Sequence, residues 1–334
     1  MNILILFGGV SSEHDISIKS ANSIVKNIDR EKYTVHIVYI TKDGKWRYIE
    51  DMNNLNSNIK AILSPESQDG LIIFKETIET IKIDTIFPVL HGKNGEDGTI
   101  QGLFEISNTN YVGCGVSASA NAMDKSITKI IVDNINVPQS PYKLIIKHNY
   151  DENMISDIEY PVFVKPCASG SSVGVAKAYC QEELDKSIKE AFKYDDKVLI
   201  EKNIIGKEIE VAVLGTTDPI ASVVGEIEPL KDFYTFDAKY VDHTSKLFIP
   251  ARISDESSDE VRKYAVEIYK ALGCTGLSRV DFFITNDEEI IFNEINTLPG
   301  FTDISMYPKL FEKSGVEYKD LISKLIEFGG EKIG

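Results

Sequence analysis

Two apolar stretches near the C-terminus, Leu277-Ser278-Arg279-Val280-Asp281-Phe282-Phe283 and Ile290-Ile291-Phe292-Asn293-Glu294-Ile295-Asn296, carry charge where a buried strand should carry none. They read as a hairpin, Leu277 to Thr285 and Glu289 to Thr297, turning at Asn286-Asp287. Side chains alternate along a strand, so Arg279 and Asp281 share one face, and Glu294 and Asn296 share one face of the partner. Folding about residues 287 and 288 sets Asp281 opposite Glu294. Two carboxylates that close repel each other, and a hard cation such as Mg²⁺, held jointly with nucleotide phosphates, would relieve the repulsion. A solvated hairpin face is the competing reading. It accounts poorly for acidic residues embedded among Val280, Phe282, Phe283, Ile291, Phe292 and Ile295.

A second chemical feature lies upstream. In Lys165-Pro166-Cys167-Ala168-Ser169-Gly170-Ser171-Ser172-Val173-Gly174-Val175 a lysine ends the strand Tyr160 to Lys165 beside a loop of small residues. Backbone N–H groups of such a loop can converge on phosphate oxygens while the lysine supplies charge; a plain hairpin turn is the alternative. GxxxxGK followed by Ser or Thr occurs nowhere, which excludes a P-loop NTPase. Gly113-Cys114-Gly115-Val116-Ser117-Ala118 matches GxGxxA but follows Asn108-Thr109-Asn110, so a structural turn is favoured there over a dinucleotide site.

Outward from these features, residues 1 to 120 alternate apolar runs with helical pattern: strand Asn2 to Phe7, a capping box at Ser12-Glu13-His14-Asp15, then Ile18, Ala21, Val25 and Ile28 at helical spacing. Tyr33 to Thr41 is strand-like, Lys42 to Lys45 a turn, and Thr85 to Leu90 a buried strand ending at His91-Gly92. Strands separated by helices predict a doubly wound parallel sheet, α/β in class. A mixed α+β region follows from Asn121, with a helix over Ala122 to Ile135. Strands are expected at Lys197 to Ile204, Glu208 to Leu214, Ile220 to Ile227 and Leu247 to Ile253, and helices at Asp259 to Leu272 and Tyr318 to Phe328.

At about 150 residues per domain, 334 residues hold two or three domains. The net charge of −16 speaks against partners with long phosphate backbones or anionic lipid surfaces, so neither nucleic acid nor membrane is expected. No segment is long and apolar enough to span a bilayer, and Asn2-Ile3-Leu4-Ile5-Leu6 lacks the basic start of a signal peptide. Cys114, Cys167, Cys180 and Cys274 fit neither a zinc knuckle nor a CxxC pair. Reduced, buried thiols in a cytoplasmic protein are expected.

FGGVSSEHDIS, LHGKNGEDGTIQG, MDK, KPCASGSSVG, EKNIIGKEIEVAV, FYTFDAKY, GLSRVDFF and NEINTLPGFTDISMYP occur in the order and approximate spacing of the D-alanine:D-alanine ligase family. The resemblance runs from residue 3 to about 328. It implies an N-terminal Rossmann-like domain (1–120), then a two-domain ATP-grasp fold, central (121–206) and C-terminal (207–334), in a homodimer joining two D-alanines for peptidoglycan precursors with ATP and Mg²⁺, or Mn²⁺ in its place. Lys125 and Lys165 resemble the lysines on the ATP phosphates, with Ser171 and Ser172 in the phosphate loop; Glu201 and Glu208 resemble the adenine and ribose ligands, and Asp281, Glu294 and Asn296 the magnesium set. Lys239 resembles the lysine reaching the transferred phosphate, in a lid over 232 to 246. Arg279 and the N–H of Gly300 resemble the oxyanion donors, and Glu13 the holder of the first ammonium, tied to Ser171 and Tyr240. His91 is expected near the first substrate, and Ser305 with Met306 at the second carboxylate.

Cys167-Ala168-Ser169 departs from the family's usual residues before GSSVG, without consequence where backbone amides do the work. Asn203 stands where some relatives have an apolar adenine contact. Met306 and the intact Asp237-Ala238-Lys239-Tyr240 favour D-alanine as second substrate over D-lactate. D-serine, larger by one hydroxyl, is the alternative. A reading of another class is a dinucleotide-dependent dehydrogenase using Gly113 to Ala118.

Overall fold

The computed structural model describes residues 1–66, 69–229 and 246–331. Its first sheet contains β1 (Asn2–Gly8), β2 (Thr34–Ile40), β3 (Trp46–Ile49), β4 (Lys60–Leu63), β5 (Leu71–Phe74), β6 (Ile78–Ile81), β7 (Thr85–Val89) and β8 (Asn110–Tyr111), in the order β6-β5-β4-β3-β2-β1-β7-β8. The apolar run Ile3 to Phe7 is fully buried at its centre, between parallel neighbours β2 and β7. The parallel part stops at β2. The turn at Lys42 to Lys45 reverses the chain into an antiparallel meander, β3 to β6, whose four-residue strands were too short to show a period in the sequence.

The second sheet, order β11-β10-β12-β9, is built from β9 (Tyr142–Ile146), β10 (Val162–Pro166), β11 (Ala176–Ala178) and β12 (Lys197–Lys202), all antiparallel. The third, order β15-β14-β13-β16-β17, holds β13 (Gly206–Gly215), β14 (Ile220–Glu228), β15 (Lys246–Phe248), β16 (Gly276–Thr285) and β17 (Ile290–Asn296). Two α+β units behind a parallel-containing sheet make up the expected architecture.

Helices depart from expectation where a cap decides. The single helix expected over Ala122 to Ile135 is two, Val116–Met123 and Lys125–Asn134, because Asp124 turns out of the helix and its Oδ1 accepts from the Ser126 and Ile127 N–H groups at 3.0 and 3.4 Å. The helix Asp255–Ala271 starts earlier than predicted, where Ser254 Oγ accepts from the Ser257 N–H at 3.1 Å. The helix Met306–Lys313 follows Ser305, which the sequence also allows as a helix N-cap before Pro308, and carries that proline in its first turn, where no intrahelical N–H bond is lost. The capping box at Ser12 to Asp15 does not form: Glu13 is the residue before the helix His14–Asn27, and its carbonyl accepts from the Ile16 and Ser17 N–H groups while its side chain caps none.

Packing divides the molecule in two. The C-terminal helix Tyr318–Gly330 lies between the first and third sheets, and Ile3, Ile5, Phe87, Leu214, Leu277, Leu325 and Ile326 belong to one core. The second sheet has its own core, with Val162, Val164, Leu184, Ile188 and Ile200. It therefore stands apart from the fused pair, leaving a cleft.

Candidate active site

Two cavities, of about 340 and about 540 Å³, occupy that cleft and share a wall that includes Lys125, Lys165, Ser171, Glu201, Asn293 and Glu294. The larger continues past Ser172, Asn203 and Glu208. The smaller continues past Glu13, Arg279, Asn296, Gly300, Ser305 and Met306. Most of the expected residues of the described part thus line one cavity or the other.

The hairpin sets the hinge of this arrangement. Asp281 lies opposite Glu294, and Arg279 opposite Asn296, as the alternation requires. The next pair is Phe282 with Phe292, so Asn293 is an extra residue in β17, a bulge. The bulge lets Phe292 pack on Phe282 in the core, ring centroids 6.0 Å apart, while Glu294 faces the cavities. It also puts Asn293 at the shared wall, where its Oδ1 lies 3.4 Å from Lys165 Nζ; the sequence reading missed this residue. Arg279 grips Asp281 with two bonds, Nε to Oδ1 at 2.8 Å and Nη2 to Oδ2 at 2.7 Å. Its Nε also approaches Glu210 Oε2 at 3.3 Å. Glu210, buried in the neighbouring β13 and paired with Asp281, is a second missed residue.

Lys165, next to last in β10, turns onto β12, where its Nζ meets Glu201 Oε2 at 2.5 Å. The other oxygen is held by Lys129 Nζ at 2.6 Å. Burial opposes ionisation of Glu201, but the two lysines outweigh it and hold its carboxyl at about 2. Burial likewise opposes the charge on Lys165, and Glu201 more than restores it. Lys129, missed in the sequence, lies one turn beyond Lys125. Lys125 itself donates to the Ser169 carbonyl at 2.8 Å, tying its helix to the loop. In that loop Ser171 and Ser172 have φ of 54° and 59°, a left-handed bend that few side chains favour.

Glu13 leaves its helix uncapped because its carboxylate turns toward the cavity: a Cβ on Gly92 would lie 3.1 Å, and one on Gly170 3.8 Å, from its Oε2. Glu96, within the GEDG stretch, also lines this chamber. Burial, reinforced by Glu13, pushes its carboxyl up to about 8, and it accepts the Gly92 N–H at 3.0 Å. His91 lies just behind. It is buried, donating from Nδ1 to the Leu298 carbonyl at 3.1 Å, with Nε2 3.5 Å from Ser20 Oγ, which accepts the Phe301 N–H at 3.3 Å. Burial lowers its pKa. The neutral ring anchors the loop carrying Gly300 instead of lining the chamber. Ser305 Oγ accepts the Thr302 N–H at 3.0 Å.

Lys239, Tyr240 and nearly all of the expected lid lie outside the described residues. The GxGxxA stretch lines neither cavity. Gly113 is packed against Leu277 and Gly276, and its carbonyl accepts from Thr275 Oγ1 at 3.0 Å, which leaves a dinucleotide no room. All four cysteines are free; Cys180, contrary to expectation, is exposed. Among the described residues, no helix is long and apolar enough to cross a membrane.

Models of the D-ala D-ala ligase N-terminus and C-terminus match residues 2–114 and 131–327. The chain belongs to the D-ala D-ala ligase family. Among the family's curated members, the D-alanine--D-alanine ligase of Caldicellulosiruptor bescii is 48% identical, covering 99% of this chain and 96% of its own length. That of Acetivibrio thermocellus is 47% identical at the same coverage, 99% and 96%. Two solved ligase structures superpose over most of both chains. VanG D-Ala:D-Ser ligase from Enterococcus faecalis gives a TM-score of 0.90 at 36% identity, covering 98% of this chain and 99% of that one. The D-alanine-D-alanine ligase from Coxiella burnetii gives 0.86 at 32%, covering 99% and 95%.

Proposed function

We propose that this ligase joins two D-alanines into D-alanyl-D-alanine for peptidoglycan precursors, converting ATP to ADP and phosphate. The shared wall of the two cavities carries this reading, because there a triphosphate in the larger chamber would meet a carboxylate in the smaller. Glu201 and Asn203 would border the adenine, and Glu208 the ribose. The Ser169 to Gly174 amides, Lys125 and Lys165 would cradle the phosphates.

A carboxylate does not condense with an amine until it carries a leaving group. Glu13 holds the first D-alanine by its ammonium, and the carboxylate oxygen, aimed at the wall, attacks the γ-phosphorus and expels ADP. The second D-alanine, its carboxylate against Ser305 and its methyl beside Met306, then attacks the acyl carbon with its amine. Negative charge gathers on the acyl oxygen, where Arg279 and the Gly300 N–H stabilise it until phosphate leaves. Lys239 would steady the transferred phosphate, and Tyr240 would act together with Glu13 and Ser171; exclusion of water would protect the acyl phosphate.

The residues assigned to Mg²⁺ suit it. Asp281 and Glu294 face each other, Asn296 adds an amide oxygen, and all three are hard donors. They include only two carboxylates, and among the described residues no group of three His, Cys, Asp or Glu is arranged as a metal site, so phosphate oxygens would complete the shell. The ion, Mg²⁺ or Mn²⁺, would neutralise charge on the phosphates. We place the domains at 1–120, 121–206 and 207–334, in a cytoplasmic homodimer.

Phosphate release from ATP, measured with D-alanine, D-serine and D-lactate in parallel, tests the reading. Release with D-alanine alone, with dipeptide formed, is expected. The likeness to VanG favours one second reading, D-serine as second substrate, which would show as faster release when D-serine joins D-alanine. NAD(H)-dependent turnover without phosphate would overturn both.

A further inference from the structure

Three buried charges meet at the cavity wall: Lys129 and Lys165 on opposite oxygens of Glu201, at 2.6 and 2.5 Å. The two lysines are not equivalent. Lys129 has a side chain only 3% exposed, lies over the Tyr142 ring at 4.9 Å, and comes within 3.4 Å of both the Ser140 carbonyl and Gln139 Oε1. Those contacts come from Tyr142 at the start of β9 and from the segment just before it, and they fix it in place. Lys165 is more exposed, at 18%, and borders both cavities. Besides Glu201 its Nζ has Asn293 Oδ1 at 3.4 Å and the Phe163 ring at 5.9 Å, so it is the less tethered of the two and the one placed to turn.

We propose that Lys129 is a positioning residue for nucleotide binding, the fixed counter-ion that keeps Glu201 compensated when Lys165 turns from it to the phosphates. The proposal rests on the nucleotide reading above. A carboxylate buried to this degree cannot be left uncompensated without a large cost. With Lys129 in place, Glu201 stays paired after Lys165 departs, and a phosphate need only compete for half of a shared anion. Without it, Lys165 is the sole cation on Glu201, and binding must break a buried pair outright.

The test separates this from a packing role through two probes, ADP and adenosine, titrated into the full chain by calorimetry or by displacement of a fluorescent nucleotide. Lys129→Met should weaken ADP about tenfold while adenosine, which offers no phosphate, changes less than twofold. Equal losses for both would show that Lys129 shapes the adenosine site instead, and no loss for ADP would dispose of the proposal. Lys129→Met combined with Glu201→Gln leaves no buried carboxylate uncompensated, which keeps the test open if the single variant fails to fold. That double variant should bind ADP within about twofold of Glu201→Gln alone; an additive loss would contradict the coupling. Wild-type protein that bound neither probe would refute the nucleotide reading itself.

Discussion

Arg279 shows how one side chain serves two tasks. It holds Asp281 through two bonds and faces the chamber assigned to the amino acids. Arg279→Ala is expected to lower turnover by at least ~100-fold with ADP affinity nearly unchanged; turnover at the wild-type level would refute its role. Glu96 makes a different prediction. Its carboxyl has an ordinary value of 4.5 and is raised to about 8 in the fold, first by burial and then by Glu13. The folded state thus keeps a proton that the unfolded chain releases, so stability falls as pH rises from about 4.5 to about 8 and levels off beyond. Glu96→Gln should flatten that slope in denaturation midpoints taken at pH 5.5, 7 and 8.5. Parallel wild-type and variant curves would contradict the raised value.

At the level of elements, what was legible followed local periodicity. That Asp281 and Glu294 come together across the hairpin could be read from the two-residue alternation, but their exact pairing depends on a one-residue shift, since the turn sets Ile284 opposite Ile290 and Phe282 opposite Phe292. The bulge at Asn293 could not, since an inserted residue leaves no mark in composition; the only hint was Phe292 and Glu294, apolar and acidic at the same parity. Lys129, Glu96 and Glu210 escaped for another reason: each looks like an ordinary charged residue until a distant element closes over it. Asp124 belongs with them. It separates two helices, caps the second and pairs with Lys197. Asp124→Ala should cost about 1–2 kcal/mol, read by urea denaturation, and Asp124→Asn less, because the amide oxygen still accepts from the helix. Equal losses would assign the effect to the Lys197 pair instead of the cap.

Across the whole molecule, the sheets do unequal work. The first and third share a core through the helix Tyr318–Gly330, so Glu13 and Arg279, far apart in sequence, sit on one body. The second sheet, with its own core, brings Lys165 and the serine loop to the other side. Gly329 marks how closely the shared core is packed: a Cβ there would lie 3.0 Å from the Tyr111 backbone. Gly329→Val should destabilise the chain by about 1–3 kcal/mol, and an unchanged melting temperature would contradict that packing. The architecture was legible from ordered motifs and alternating elements, but the antiparallel meander β3 to β6 was not, because strands of four residues carry too little pattern.

In the proposed reaction a carboxylate of D-alanine attacks ATP across the wall between two chambers, and one isotope measurement follows that oxygen directly. With D-alanine labelled by ¹⁸O in its carboxylate, each turnover should place one label in the released phosphate, since the attacking oxygen leaves with phosphorus when the amine displaces it. Phosphate released without label, while dipeptide forms, would show that no acyl phosphate lies on the path.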